Sequence, residues 1–201
     1  MNTFRLPLLA AMFAASFAFA LSGGDGSTEN PYQISTPDHL EAVNDNLSAH
    51  YVLTNNIDLS GQSYQRAVIA PDIDYSDQQF NGSPFTGSLN GAGYKILNFT
   101  VDTSNVTEDY PYYLGLFGKI EGGEVQNLGI ENAQISGGDD SEYLGGLCGW
   151  NREGTIENCY ATGSVSGGIN SDTLGGLCGR NYGGSIENCY ATGSVSGGGD
   201  S

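Results

Sequence analysis

Positive charge is scarce in this sequence. Six of its 201 residues are Lys or Arg, against 23 Asp and Glu, for a formal net charge of −17. Nucleic-acid binding rests on clustered Lys and Arg facing phosphate, so that partner is excluded. Anionic membranes and polyanionic saccharides are disfavoured on the same ground. Histidine occurs only as His39 and His50, with no H-E-x-x-H, no G-x-S-x-G and no P-loop, which removes the usual metallopeptidase, hydrolase and nucleotide signatures. None of the four cysteines falls in a C-x-x-C pair, so the tight ligand pairs of a zinc site are missing. Beyond Leu6–Phe19 no apolar run approaches the roughly 20 residues that a membrane-spanning helix needs, so an integral membrane protein is not expected.

What the chain has in abundance is repetition. Leu144–Gly168 returns almost unchanged at Leu174–Gly198, with Cys148 and Cys178, Asn158 and Asn188, and Val165 and Val195 each 30 positions apart. A looser copy precedes them at Leu114–Gly138. Each copy holds short apolar stretches separated by glycine or polar turns, in the middle copy Leu144–Cys148, Thr155–Tyr160 and Thr162–Ser166. These are too short for helices. Isolated strands of this length bury no face alone, whereas parallel stacking lets each unit cover the apolar edge of the last. The reading is an all-β, parallel β-helix (β-solenoid) of ~30-residue coils spaced by about 4.8 Å, three strands to a coil. The usual crossover rule makes it right-handed. Asn98, Asn127, Asn158 and Asn188 each follow an apolar-x pair. They are expected as one column, either hydrogen-bonded along the stack or marking turns.

Gly115-Leu116-Phe117-Gly118, Gly146-Leu147-Cys148-Gly149 and Gly176-Leu177-Cys178-Gly179, with the longer motif at Gly154–Gly167 and Gly184–Gly197, resemble the GLUG-motif repeat proteins. The first copy departs from the pattern, with Leu128-Gly129 where Cys-Tyr stands later. The resemblance implies a secreted or surface β-solenoid, often part of a large multi-repeat protein, and implies no catalytic residue.

Taken in order, residues 1–20 read as a signal peptide, with Arg5, the apolar run and an Ala18-Phe19-Ala20 cleavage signal. That predicts secretion or display at the cell surface. It leaves five bases, Arg66, Lys95, Lys119, Arg152 and Arg180, and a net charge of 5 − 23 = −18. Residues 21–60 are read as an N-terminal cap of strand, helix and first coil. Thr36 suits the N-cap and Pro37 the first helical position, and Leu40, Val43 and Leu47 share one face of a helix over Pro37–Leu47. Residues 61–113 are read as an irregular coil with loop insertions, Gly61–Pro84 forming an excursion. Residues 114–201 carry the repeats. They stop where another copy would begin, so the expectation is an array cut from a longer one, or edge-to-edge association at the C-terminal coil.

The candidate sites follow from residue type. Cysteines at 148, 159, 178 and 189 correspond to Phe117 and Leu128 in the first copy, which favours core-facing positions. Buried thiols, disulfides within a repeat (Cys148–Cys159, Cys178–Cys189) and disulfides between stacked copies (Cys148–Cys178, Cys159–Cys189) all remain open. Asp72, Asp74 and Asp77 place three carboxylates within six residues, as Asp139, Asp140 and Glu142 do within four. Calcium is the one cofactor such loops suggest, although the EF-hand glycine and distal glutamate are lacking. Tyr160 and Tyr190 occupy equivalent places and form a possible ligand face for sugar rings, or pack at a corner. Trp150 and Arg180 replace one another between copies, which points to an exposed variable corner. The expected function is a non-catalytic secreted or cell-surface module for adhesion or for interaction with a surface glycan or protein. The alternatives are a carbohydrate-active parallel β-helix enzyme (lyase or hydrolase) and a calcium-dependent structural scaffold.

Overall fold

A computed structural model describes residues 21–105 and 112–199. The signal peptide read over residues 1–20 lies outside them. The N-terminal part runs β1 (Tyr32–Ile34), helix α1 (Pro37–Glu41) continuing as a 3-10 turn (Ala42–Asp45), then β2 (His50–Leu53), β3 (Ile57–Asp58), β4 (Ser63–Tyr64), β5 (Ser88–Asn90), β6 (Lys95–Leu97) and β7 (Thr100–Asp102). Three regular coils follow. The first holds β8 (Tyr112–Leu114), β9 (Phe117–Glu121), β10 (Glu124–Gln126) and β11 (Gly129–Ser136). The second holds β12 (Glu142–Gly145), β13 (Cys148–Arg152), β14 (Thr155–Glu157) and β15 (Tyr160–Ser166). The third holds β16 (Asp172–Gly175), β17 (Cys178–Tyr182), β18 (Ser185–Glu187) and β19 (Tyr190–Ser196). All named pairings are parallel, and the protein is a parallel β-solenoid.

Each regular coil has four strands rather than the three expected. The apolar stretch Leu144–Cys148 is not one strand: Gly146 and Leu147 turn the chain between β12 and β13. The four strand positions stack into sheets ordered β1-β2-β5-β10-β14-β18, β3-β6-β11-β15-β19, β8-β12-β16 and β9-β13-β17. Val125, Ile156 and Ile186 lie in register, as do Leu114, Leu144 and Leu174, so equivalent residues line one shared interior. The innermost side chains, such as Phe117, Leu144, Leu147 and Ile156, have no solvent exposure. Burying each contributes roughly 1.5–3 kcal/mol.

The helix is shorter than its apolar spacing suggests. Thr36 caps it through its hydroxyl, which accepts from the His39 amide at 3.2 Å, and Pro37 opens it. Beyond Asp45 the periodicity is spent on loop geometry: Tyr51 donates its hydroxyl to the Asn46 carbonyl at 2.7 Å. Leu40 and Val43 are fully buried, whereas Leu47 is only partly so. The excursion after Gly61 is also less free than expected. Ile69 forms a parallel bridge to Phe117, Phe85 one to Ile120, and Val68 and Ala70 are buried.

The asparagine column needs a correction. Asn127 and Asn158 share a corner, with Asn158 Nδ2 3.4 Å from Asn127 Oδ1. Asn98 stands elsewhere: β6 pairs with the start of β11, so Asn98 lies beneath Asn132, whose Nδ2 donates to it at 3.1 Å. All four asparagines have a left-handed backbone, φ between 52° and 57°, where Asn is tolerated better than most residues. The turn role dominates. A tighter asparagine stack lies in β13 and β17, where buried Asn151 donates from Nδ2 to Asn181 Oδ1 at 2.8 Å and to the Gly154 carbonyl at 3.1 Å.

Candidate ligand-binding faces

The tyrosine column is built as the repeat implies. Tyr160 and Tyr190 pair in register, with ring centroids 5.1 Å apart and planes within 4°. The side chain can lie over the sheet because the first copy has Gly129 in that place. A Cβ at Gly129 would sit 2.6 Å from the Tyr160 ring. Tyr160 donates its hydroxyl to Glu131 Oε1 at 2.7 Å, and Lys95 pairs with the same oxygen at 2.7 Å. The Lys95 contact, with that of Tyr160, holds the Glu131 carboxyl below its ordinary pKa. Tyr160, covered by the next coil, is partly buried, and Tyr190 on the last coil is 55% exposed.

A second aromatic surface was not singled out by the sequence. Lys119, Trp150 and Arg180 lie in register across β9, β13 and β17, as do Glu121, Arg152 and Tyr182. Trp150 and Arg180 are therefore strand residues, not a variable corner. Tyr113, Tyr143 and Trp150 form a mutual pile, with centroids 5.1–5.9 Å apart and planes within 30°. Arg180 covers it: its guanidinium lies 5.3 Å from the Tyr143 ring centre, 5.2 Å from Trp150 and 5.7 Å from Tyr182, and donates to the Tyr143 hydroxyl at 3.0 Å. On the other side Lys119 sits 4.8 Å from the Trp150 centre. Glu121 pairs with Lys119 at 2.8 Å and with Arg152 at 3.1 Å, and the Lys119 bond lowers its pKa. Burial raises the pKa of both Tyr113 and Tyr143, so the phenols remain neutral. The available sequence signal was a large cation or ring at one repeat position, together with a tyrosine just before Leu114 and Leu144.

The acidic loop is brought together differently from a metal cradle. Buried Asp72 accepts from the amides of Asp74 at 3.3 Å and Asn81 at 3.0 Å through Oδ1. Asp74 accepts from the Ser76 amide, and Asp77 from the Gln79 amide and Asn81 Nδ2. Burial raises the Asp72 pKa, while the bonds to Ser76 lower that of Asp74. Among the described residues no group of three or more His, Cys, Asp or Glu is placed to hold a metal ion. Each of the three carboxylates accepts from amides of its own loop, and Asp72 Oδ2 is buried without a hydrogen-bond partner.

All four cysteines are free thiols, and Cys148 and Cys159 are fully buried. Cys148 lies in register with Cys178, and the Cys159 amide lies 3.3 Å from Cys189 Sγ, so the nearest arrangement runs between coils. The bond to Cys178, with burial, keeps the Cys148 thiol protonated, so Cys178 is the partner that ionises first. Burial pushes Cys159 up to about 12. A mild added oxidant is therefore expected to take two electrons and two protons from the 148/178 pair first. Closing a ~30-residue loop stabilises by about 3–4 kcal/mol in the chain-entropy picture. Cross-linked peptides identified by tandem mass spectrometry check this; a dominant Cys148–Cys159 product contradicts it.

Comparison with known proteins agrees with the repeat. Residues 140–166 and 170–196 each match the GLUG motif. Halomucin of Haloquadratum walsbyi is 35% identical over 153 residues, covering 72% of this chain and 2% of its own length. A protein of Evansella cellulosilytica named for a Gly-rich membrane protein is 35% identical over 149 residues, covering 72% of this chain and 16% of itself. The chain thus spans a small fraction of both relatives. A solved structure from Bacteroides ovatus, titled as a candidate immunoglobulin A1 protease, aligns at 17% identity with a TM-score of 0.45, over 87% of this chain and 80% of that one. With two matched motifs stacked coil on coil in register, the chain is a GLUG-motif repeat protein.

Proposed function

We propose that this chain is a non-catalytic β-solenoid module of a secreted or cell-surface protein, and that it engages a glycan along its tyrosine face. The observation that carries this is the Tyr160–Tyr190 column, two nearly parallel rings on successive coils with one open to solvent. Tyrosine offers a rigid apolar ring and a polar tip, and a repeated coil places such rings at strand spacing along a flat face. A surface role is supported by relatives named halomucin and Gly-rich membrane protein, neither name being catalytic. Among the described residues no helix is long and apolar enough to cross a membrane.

The test is a glycan-array screen of the whole chain beside its Tyr160→Ala/Tyr190→Ala double variant, with an assay for released sugar. Retention of at least one neutral glycan, weakened about tenfold or more in the variant, supports the reading. No retained glycan, or equal retention by both proteins, overturns it. Released sugar overturns its non-catalytic part.

A further inference from the structure

The chain's scarce positive charge is not spread evenly. Of the five bases after residue 20, three (Lys119, Arg152 and Arg180) fall on the sheet formed by β9, β13 and β17, with one carboxylate, Glu121, paired among them. We propose that this face binds a carboxylate-bearing polysaccharide, with Arg180 and Arg152 taking the acid groups and the Trp150 and Tyr182 rings taking the sugar. The inference deepens the surface-glycan reading, on which it rests for the partner being a saccharide. It assigns a different face and a ligand class.

Arg180 is the centre of this face. Among the described residues no carboxylate lies within ion-pair distance of it; its company is three aromatic rings and the Tyr143 hydroxyl. A guanidinium braced on rings keeps donors for a planar, two-oxygen acceptor, and its geometry is fixed before the ligand arrives. Arg152, one coil below Tyr182 in register, shares the same shallow hollow with Trp150, Arg180 and Tyr182. Tyr182 is 55% exposed and supplies a ring surface at the rim. A chain of net −17 repels a polyanion at long range. Three bases therefore stand against two acids here, Glu121 paired with Lys119 and Arg152 and Glu142 at the Tyr143 hydroxyl, an excess placed against the general charge, and charge complementarity selects an acidic ligand rather than a neutral one. At about 0.15 M salt the general repulsion is screened beyond about 8 Å, while contacts at the hollow are retained.

The experiment measures binding of the whole chain to polygalacturonate and to its fully methyl-esterified form at 0.15 M salt. Arg180→Gln and the charge-matched Arg66→Gln, outside the β9–β13–β17 sheet, are compared with the native chain. The expected result is at least tenfold tighter binding to the free acid than to the ester, reduced fivefold or more in R180Q and unchanged in R66Q, with unchanged melting temperatures. Arg180→Lys restores part of the affinity, since it returns the charge without the fork. Equal binding to acid and ester, equal loss in R66Q and R180Q, or full binding by R180Q overturns the proposal. Loss of polygalacturonate binding in the Tyr160→Ala/Tyr190→Ala variant but not in R180Q also overturns it, while leaving the surface-module reading intact.

Discussion

Replacing Phe117 by alanine is expected to destabilise the chain by about 3–5 kcal/mol, the usual range for a buried phenylalanine. For a chain of this size that is a melting-temperature loss of roughly 10 °C or more. Phe117 has no solvent exposure and ties together parts far apart in sequence. Its strand pairs with Cys148 on one side, it bridges Ile69 on the other, and its ring lies 5.1 Å from that of Phe85. The excursion of the irregular N-terminal part and the regular array thus pack together around this side chain. Truncation leaves a cavity at that seam, and backbone hydrogen bonds on both sides resist its collapse. Phe117→Leu keeps most of the volume and is expected to cost less than about 1.5 kcal/mol. Thermal melts of the two variants measure the difference, and similar losses for both would mean that the seam is loosely packed.

An effect at least as large is expected from Gly163→Val. β11 carries two residues, Glu131 and Asn132, opposite the single Thr162 of β15, so the register shifts there. The bulge drives the Ala133 carbonyl under Gly163, which has φ 131°. A Cβ at that position would lie 2.0 Å from the Ala133 oxygen and 2.6 Å from its nitrogen. Backbone cannot swing aside as a flexible side chain can, and valine is stiff at its first torsion. The strain and the clash together are expected to exceed about 4 kcal/mol, the exceptional end of single substitutions, and to reduce the yield of folded protein. Gly61→Ala is the contrast. Its φ is also positive, 83°, but nothing lies within 4 Å of the added carbon, so only about 1 kcal/mol of backbone strain is expected. Circular dichroism melts distinguish them, and a Gly163→Val protein as stable as Gly61→Ala would refute the clash.

These two sites mark where the sequence was readable and where it was not. Thirty-residue spacing announced that Ile156 would lie over Ile186, and it does. It also put Tyr160 and Tyr190 at equivalent places, where the two rings stack. Spacing carries phase along a stack, and phase is what parallel strands in register preserve. The corner between β12 and β13 was missed because glycine-rich apolar stretches look alike whether they run straight or turn. Asn98 was misplaced because its apolar-x-Asn context matches both corners, and only the pairing of Ile96 with Ile130 separates them. The cation–aromatic face was missed for a different reason. Lys119, Trp150 and Arg180 differ in type, so their column does not show as identity, although Arg180 braced on Trp150 is a favourable pair. The carboxylates of the 72–77 loop were conspicuous as composition, yet their orientation is set by local amides.

The left-handed corners have a consequence for how such chains change length. Tyr113, Tyr143 and Thr173 share φ near 60° inside β8, β12 and β16, and Asn127, Asn158 and Asn188 share φ near 53° at a corner. Every turn of the winding therefore repeats its bends at the same phase. Duplication or loss of one whole unit shifts the layer count and leaves every bend where it was. An insertion of another length is absorbed only in a loop or a bulge, as in the excursion after Gly61 and at Glu131-Asn132; within a strand it throws the apolar residues out of phase with the layers on either side. Selection on such a protein can adjust reach in whole steps without redesigning a single contact.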